Sequence, residues 1–244
     1  AGSNGKSTLI KTAEHLFPKG SLSHVAPQDL GDEYRLALLA GKLLNTVGEL
    51  PTAAILDSAR LKSVIDGTEI TGRQIRQEPI TFTPRAGMVY SANLWPPVAD
   101  MSHGFWSRFA VLTFNEQFPR GTAGEDLDVI MAREEGPGII AWMLGGAASV
   151  LKSRGYTVPA SSGLALEEWR NQACTVAAFL RECCDVPPPT ANKAQRASYE
   201  ESAYKLFETY VRHTREGQRP PVSRQSFKNR MAGLGHPVKE KAAG

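Results

Sequence analysis

The opening residues Ala1-Gly2-Ser3-Asn4-Gly5-Lys6-Ser7-Thr8 are small or polar around a single lysine, and an apolar run at helical spacing follows (Leu9, Ile10, Ala13, Leu16, Phe17). Gly5-Lys6-Ser7 closes the phosphate-binding pattern GxxxxGK[ST]. In such a loop, backbone N–H groups and the N-terminus of the next helix surround the phosphates, so little side-chain bulk is tolerated. Gly2, Ser3, Asn4, Gly5 and Thr8 are then the candidate cradle. Lys6 would reach the β- and γ-phosphates of ATP, and the Ser7 hydroxyl would ligand Mg²⁺. The full pattern needs a glycine five positions before Gly5, ahead of Ala1, and a strand that feeds the loop. The sequence also opens without Met and without a charged-then-apolar leader. It is therefore expected to be a piece that starts inside this loop and lacks the first strand of its sheet.

A loop of this kind works with an acid at the tip of a second strand, which holds Mg²⁺ through water or polarises the attacking water. Glu49 ends the stretch Leu43-Leu44-Asn45-Thr46-Val47-Gly48-Glu49. An acid after a strand is commonly just a solvated end residue, but its order and spacing after the loop favour the catalytic and metal-binding reading. Asn93 follows Gly87-Met88-Val89-Tyr90-Ser91-Ala92 and precedes Leu94-Trp95-Pro96-Pro97. A neutral amide there can orient water without adding negative charge, although the local sequence fits an Asn opening a proline turn equally well. Arg108, in Gly104-Phe105-Trp106-Ser107-Arg108-Phe109, suits a guanidinium supplied by a neighbouring subunit to neutralise transition-state charge. A surface ion pair is the commoner use of a lone arginine.

The elements needed to position these groups are legible as alternating short strands and helices. Helical spacing begins after the loop and stops at Pro18; a second helix is expected over residues 32–40 and a strand over 43–47. Asp57 can cap a helix carrying Leu61, Val64 and Ile65, with Gly67 just beyond its end. Residues 68–84 read as a hairpin or long loop, residues 87–92 and 109–114 as strands, and residues 125–185 mainly as helices. The pattern predicts an α/β domain with a central, largely parallel sheet. The longest apolar stretch, residues 139–151, is too short to span a bilayer and reads as a buried helix, so no membrane partner is expected.

The chain of 244 residues is long enough for one large domain or a medium domain with an appendage. With 41% hydrophobic and 22% charged residues it has globular composition. Cys174, Cys183 and Cys184 show neither CxxC spacing nor an even count, which argues against a disulfide framework or zinc site and for a reducing cytoplasm. The net charge of +3 is unevenly spread: residues 1–186 carry 17 basic and 20 acidic side chains, residues 187–244 carry 11 and 5. A tail of +6 suggests a polyanionic partner, most simply nucleic acid, against the plainer alternative of a solvated tail. Three prolines in Val186-Pro187-Pro188-Pro189-Thr190 mark a connector over residues 187–197 between a body, 1–186, and the tail, 198–244.

Taken in order, the motifs resemble the superfamily 3 helicases, AAA+-like ring motors, and specifically the C-terminal helicase part of phage, plasmid and poxvirus-type primase-helicases. The resemblance rests on Asn4-Gly5-Lys6-Ser7-Thr8, on Gly41-Lys42 through Glu49, and on Leu61-Lys62-Ser63-Val64-Ile65-Asp66-Gly67-Thr68-Glu69. It continues through Ile70-Thr71-Gly72-Arg73, Phe82-Thr83-Pro84, Ser91-Ala92-Asn93-Leu94-Trp95-Pro96 and the Arg108 motif, and spans residues 1–185. It implies a P-loop NTPase sheet, with Lys6 and Ser7 as Walker A residues, Glu49 as the Walker B acid, Asn93 as sensor 1 and Arg108 as a finger acting in trans. It further implies ATP and Mg²⁺ as cofactors, a homo-hexameric ring moving on single-stranded DNA, room for a primase domain upstream, and a bacterial or phage-infected cytoplasm. Lys62, Arg73 and Arg76 fall in the family's DNA-contacting segment and suit phosphate contact, with ion pairing to Asp66, Glu69 or Glu78 as the alternative. Glu69, where Asp is usual, and Ser107, where a second arginine is common, depart from the pattern without removing a catalytic group.

In the tail, Tyr199, Ala203, Leu206, Phe207, Tyr210 and Val211 form one helical stripe; Phe227, Met231 and Leu234 form another on a helix that Ser223 can cap. Arg224, Lys228 and Arg230 then lie on or near a basic second helix, an arrangement similar to the winged-helix appendage that follows such motors, with a structural helical cap as the alternative. The expected activity is ATP-driven DNA unwinding. The rival readings are a P-loop ATPase with another load, such as packaging or initiator remodelling, and a DNA-binding module that hydrolyses nothing.

Overall fold

The computed structural model describes residues 4–51, 55, 58–98, 100–119, 126–187, 190, 192, 201–217 and 221–236. Gly2, Ser3, Asp57 and Tyr199 lie outside these residues, as does most of the connector. Helix α1 (Lys6–His15) follows the loop and ends ahead of Pro18, whose missing N–H cannot continue the ladder. Asp32 caps α2 (Glu33–Ala37) by accepting from the backbone N–H of Tyr34 and Arg35. Gly67 follows α3 (Ser58–Ile65) at φ +65°, a left-handed position that suits glycine.

Strands β1 (Leu22–Ser23), β2 (Leu44–Val47) and β5 (Gly87–Tyr90) form a parallel sheet in the order β1-β2-β5. Leu22 sits opposite Leu44, and β2 and β5 register from Leu44 opposite Gly87 to Val47 opposite Tyr90. Pairing continues past the strand ends, Ser91 N donating to Val47 O at 2.9 Å and Leu50 N to Ser91 O at 2.7 Å. The two tips carrying Glu49 and Asn93 are thereby held side by side. β1 is short because a side chain takes over from its backbone. Asn45, fully buried, accepts from Val25 N at 2.8 Å and donates to Val25 O at 2.9 Å.

Residues 68–84 form a hairpin of β3 (Ile70–Arg73) and β4 (Pro79–Phe82), antiparallel and separate from the parallel sheet. It docks on α2 through Gly72, where a Cβ would lie 2.8 Å from Ala37 N. Only glycine permits that approach.

Two expectations are corrected. Residues 109–114 form no strand. A strand needs a ladder partner, and here Val111 N donates to Ser162 Oγ at 3.1 Å, Phe114 O accepts from Asn4 Nδ2 at 3.4 Å, and Phe109 turns into an aromatic cluster. The apolar stretch 139–151 is helical but not buried. It lies in α6 (Gly136–Ser153), where Gly136 is the one buried residue and Trp142 and Leu151 are 78% and 79% exposed. An all-round apolar helix is a signal for burial, but burial requires a facing apolar surface, and its principal described neighbour is the short α5 (Leu127–Glu134). Among the described residues no helix is long and apolar enough to cross a membrane.

The fold is mixed α/β and divides into two compact units, Ala1–Arg170 and Asn171–Gly244. The first ends within α7 (Ala160–Ala173). The second contains α8 (Thr175–Cys183), α9 (Ala203–Glu216) and α10 (Arg224–Gly233), with no strand among its described residues. Although α8 precedes the proline-rich connector, it packs with the helices beyond it around Phe179, Tyr210 and Phe227. The buried Tyr210 hydroxyl is satisfied by Thr175 Oγ1 at 2.8 Å and Val222 N at 3.0 Å. Ser223 caps α10 as expected, by accepting from Ser226 N.

Candidate functional site

Gly5 stands at the N-terminus of α1 with φ +84°, and among the described residues no side chain caps that end. The first-turn N–H groups of a helix have no intrahelical partner, and with the helix dipole they favour an anion. Lys6, the first helical residue, is half-buried, while Ser7 on the same turn is exposed. Thr8 is half-buried on that turn, and Asn4 reaches back to Phe114 O.

Lys6, Asn93 and Glu49 meet. Lys6 Nζ donates to Asn93 Oδ1 at 3.1 Å, and Asn93 Nδ2 donates to Glu49 Oε1 at 2.9 Å. The three come from the start of α1, the tip of β5 and the tip of β2, so residues separated by 87 and 44 positions converge. The amide stands between cation and carboxylate, taking one hydrogen bond and giving the other. All of this lies at the carboxyl ends of parallel strands, where α/β sheets place their ligands.

A second network behind the site has no signature in the sequence. Thr46 on β2 donates through Oγ1 to Glu14 in the last turns of α1. His24 Nδ1 lies 3.0 Å from Thr46 Oγ1 and 3.8 Å from Glu14 Oε1. These contacts tie α1 to β2 and so fix the angle at which Lys6 approaches Glu49. One residue on, His15 Nε2 meets Asp128 Oδ2 of α5 at 3.0 Å, and that hydrogen bond holds the Asp128 carboxyl below its usual range.

The loop bearing Asn93 rests on aromatic rings. Trp169 of α7 stacks with Trp95 at 5.8 Å and meets Trp106 and Phe109 edge-on, each at 5.0 Å. Its indole N–H donates to Pro96 O at 2.9 Å. Nothing local in the sequence marks Trp169, which lies 73 positions from Pro96.

Arg108 does not join Lys6, Asn93 and Glu49. Its Nε and Nη2 bind the two carboxylate oxygens of Asp66 at 2.8 and 2.5 Å, and Nη1 donates to Gly104 O. The guanidinium hydrogen bonds hold the Asp66 carboxyl below its usual range. Lys62 is engaged as well, donating to Asp100 Oδ2 at 2.6 Å and to Ser102 Oγ at 3.2 Å. Burial alone would raise the Asp100 carboxyl, but the hydrogen bonds from Lys62, Ser102 and Ser58 outweigh it and hold that carboxyl well below the usual range. This cluster joins α3 to the cap of α4 (His103–Trp106). Arg73 and Arg76 are different: both are exposed at the hairpin end, and neither has an ion-pair partner among the described residues. Arg76 adopts φ +60° in the turn.

In the second unit the Arg224 guanidinium stands over the Tyr204 ring at 6.0 Å. Lys228 and Arg230 lie on the same helix, and each makes an interaction of its own.

Residues 1–108 match the model of a family of unknown function, DUF5906. The matched part includes Lys6, Glu49 and Asn93 and ends at Arg108. No curated protein matches the chain.

Proposed function

We propose that the chain is the ATP-hydrolysing motor of a DNA helicase, a P-loop NTPase that works as a hexameric ring on single-stranded DNA. The observation that carries this reading is the hydrogen-bonded series Lys6, Asn93, Glu49 beside the uncapped N-terminus of α1. A cation at a helix start with an amide and a carboxylate at adjoining strand tips is the set that phosphoryl transfer to water uses.

The residues suit Mg²⁺ and ATP on two grounds. The uncapped helix start with Gly5 at φ +84° leaves backbone donors for phosphate. The hard oxygen donors are few, the Ser7 hydroxyl and the Glu49 carboxylate, which agrees with a cation that keeps waters and substrate oxygens in its shell. When bound, Mg²⁺ and ATP supply the phosphoanhydride and the divalent charge that screens it. Lys6 would turn from Asn93 towards the γ-phosphate and neutralise charge there. Released from Lys6, the Asn93 carbonyl would accept a hydrogen bond from the attacking water, while its NH₂ stays on Glu49. Glu49 would polarise that water and take up its proton. Arg108 would act in the site of a neighbouring subunit, and Arg73 and Arg76 at the hairpin end would follow the phosphates of the strand.

The test is Lys6→Ala in an ATP hydrolysis assay with and without single-stranded DNA. Loss of turnover is expected, because the loop supplies no second side-chain cation to the γ-phosphate. Near-normal turnover in that variant overturns the proposal.

A further inference from the structure

A second cluster of reactive groups lies in the unit formed by α8, α9 and α10, and the motor chemistry uses none of it. Cys183 ends α8 and is exposed. Its Sγ is 3.3 Å from His213 Nδ1 on α9. The other ring nitrogen of His213, Nε2, is 3.5 Å from Glu182 Oε2, whose carboxylate also approaches Arg181. The buried ring of Phe179 lies against the imidazole at 5.8 Å between centroids, which restricts its rotation. With the ring neutral and its proton on Nε2 facing Glu182, the Nδ1 lone pair faces the thiol. Nucleophile, base and orienting carboxylate are then in sequence.

We propose that Cys183 is a site of oxidation by hydrogen peroxide, with His213 as its general base and Glu182 as the residue that positions His213. The Cys183 proton passes to His213 Nδ1 as sulfur attacks one oxygen of the peroxide. A sulfur–oxygen bond forms, the oxygen–oxygen bond breaks, and the departing hydroxide recovers the proton from Nδ1 and leaves as water. Sulfur loses two electrons to give a sulfenic acid, and the peroxide gains two. Cys183 sits at the C-terminal end of α8, so no helix N-terminus takes part in activating it. Proton transfer within the step therefore gives His213 its part.

The other two thiols provide internal comparison. Burial pushes the Cys184 thiol up, and the neighbouring Cys183 and Asp185 push it further. Cys174 is buried at the N-terminus of α8, where its Sγ accepts from Ala177 N at 3.4 Å. Neither has an imidazole as partner among the described residues.

The experiment treats the whole chain with hydrogen peroxide in the presence of dimedone and follows each cysteine by peptide mass spectrometry, in buffer and in urea. Cys183 is expected to label about a hundredfold faster in the folded chain than in urea, at the low side of what a positioned base contributes. It should also label ahead of Cys184 and Cys174. His213→Ala should reduce the Cys183 rate to that of the unfolded chain, with partial recovery on adding free imidazole, a response that a merely structural histidine would not give. Glu182→Gln should lower the rate less than His213→Ala does. A folded-chain rate no greater than the urea rate overturns the proposal from the wild-type protein alone, whether or not the variants fold. A folded His213→Ala variant that labels as fast as wild type overturns it equally.

Discussion

At the scale of single residues, Arg108 and Asp66 pose the sharpest question, because an arginine suited to a neighbour's active site is bound bidentately within its own chain. The two roles predict different mutant pairs. If Arg108 serves a neighbouring site, Arg108→Ala should lower ring-dependent hydrolysis on the order of 10³-fold while ATP binding persists, since known fingers contribute about 10³–10⁵ in rate. Asp66→Asn, which weakens the ion pair but keeps the guanidinium, should then leave most of the turnover in place. Equal losses in both variants would assign Arg108 to holding α4 against the end of α3. A mixture of the Arg108→Ala and Lys6→Ala chains adds an independent reading, because one kind of mixed interface would restore an intact site and some hydrolysis. Lys62 resembles Arg108 in being engaged within the chain. Arg73 and Arg76 remain the better candidates for phosphate contact.

At the scale of elements, the Lys62–Asp100 ion pair fastens α3 to the cap of α4, and its pH response has a definite sign. The folded-state carboxyl of Asp100 lies well below the ordinary value of 3.8, so its contribution to stability is present above about pH 4 and fades as pH falls through the acid range. Lys62→Met should therefore destabilise the chain most near neutrality, and the difference from wild type should narrow as pH falls below about 4. Urea denaturation at several pH values measures this; a difference that stays constant with pH would contradict it. The strands and helices that follow local rules were legible in the sequence: α1 up to Pro18, a helix near residues 32–40, the Ser223 cap, β2 and β5, with a hairpin as one of two readings of residues 68–84. Lys6, Glu49 and Asn93 could be chosen because each sits at the end of such an element. What could not be read depends on long-range partners. Residues 109–114 have strand-like composition, yet their backbone groups are taken by Ser162 and Asn4. The apolar pattern of α6 gives its helicity but not the surface that would cover it. Trp169 and the Glu14–Thr46–His24 network appear only when distant segments meet.

At the scale of the whole molecule, charge is divided along the chain, with 17 basic against 20 acidic side chains in residues 1–186 and 11 against 5 beyond them. Cutting the chain at Pro187 would test that asymmetry poorly, because it strips α8 of its partners and uncovers Phe179. Replacing Arg224, Lys228 and Arg230 with glutamine keeps the helices and removes the charge. If these side chains meet DNA phosphates, the slope of log affinity against log salt should become less negative by roughly one for each phosphate-bound cation removed. An unchanged slope would make them a solvated surface. The tryptophans carry a consequence of another kind. Trp106 and Trp169 are buried and meet edge-on, and Trp169 stacks with Trp95, whereas Trp142 is 78% exposed on α6. The intrinsic fluorescence should therefore resolve into two classes under acrylamide: a red-shifted component quenched at once, which disappears in Trp142→Phe, and a shielded component that is not. The shielded group is held in fixed mutual orientation beside the loop that bears Asn93, so its near-ultraviolet circular dichroism is an optical gauge of that loop. If the proposed site binds nucleotide, adding nucleotide should alter this signal while leaving the Trp142 emission unmoved, which makes the Asn93 loop observable in a cuvette without any attached label.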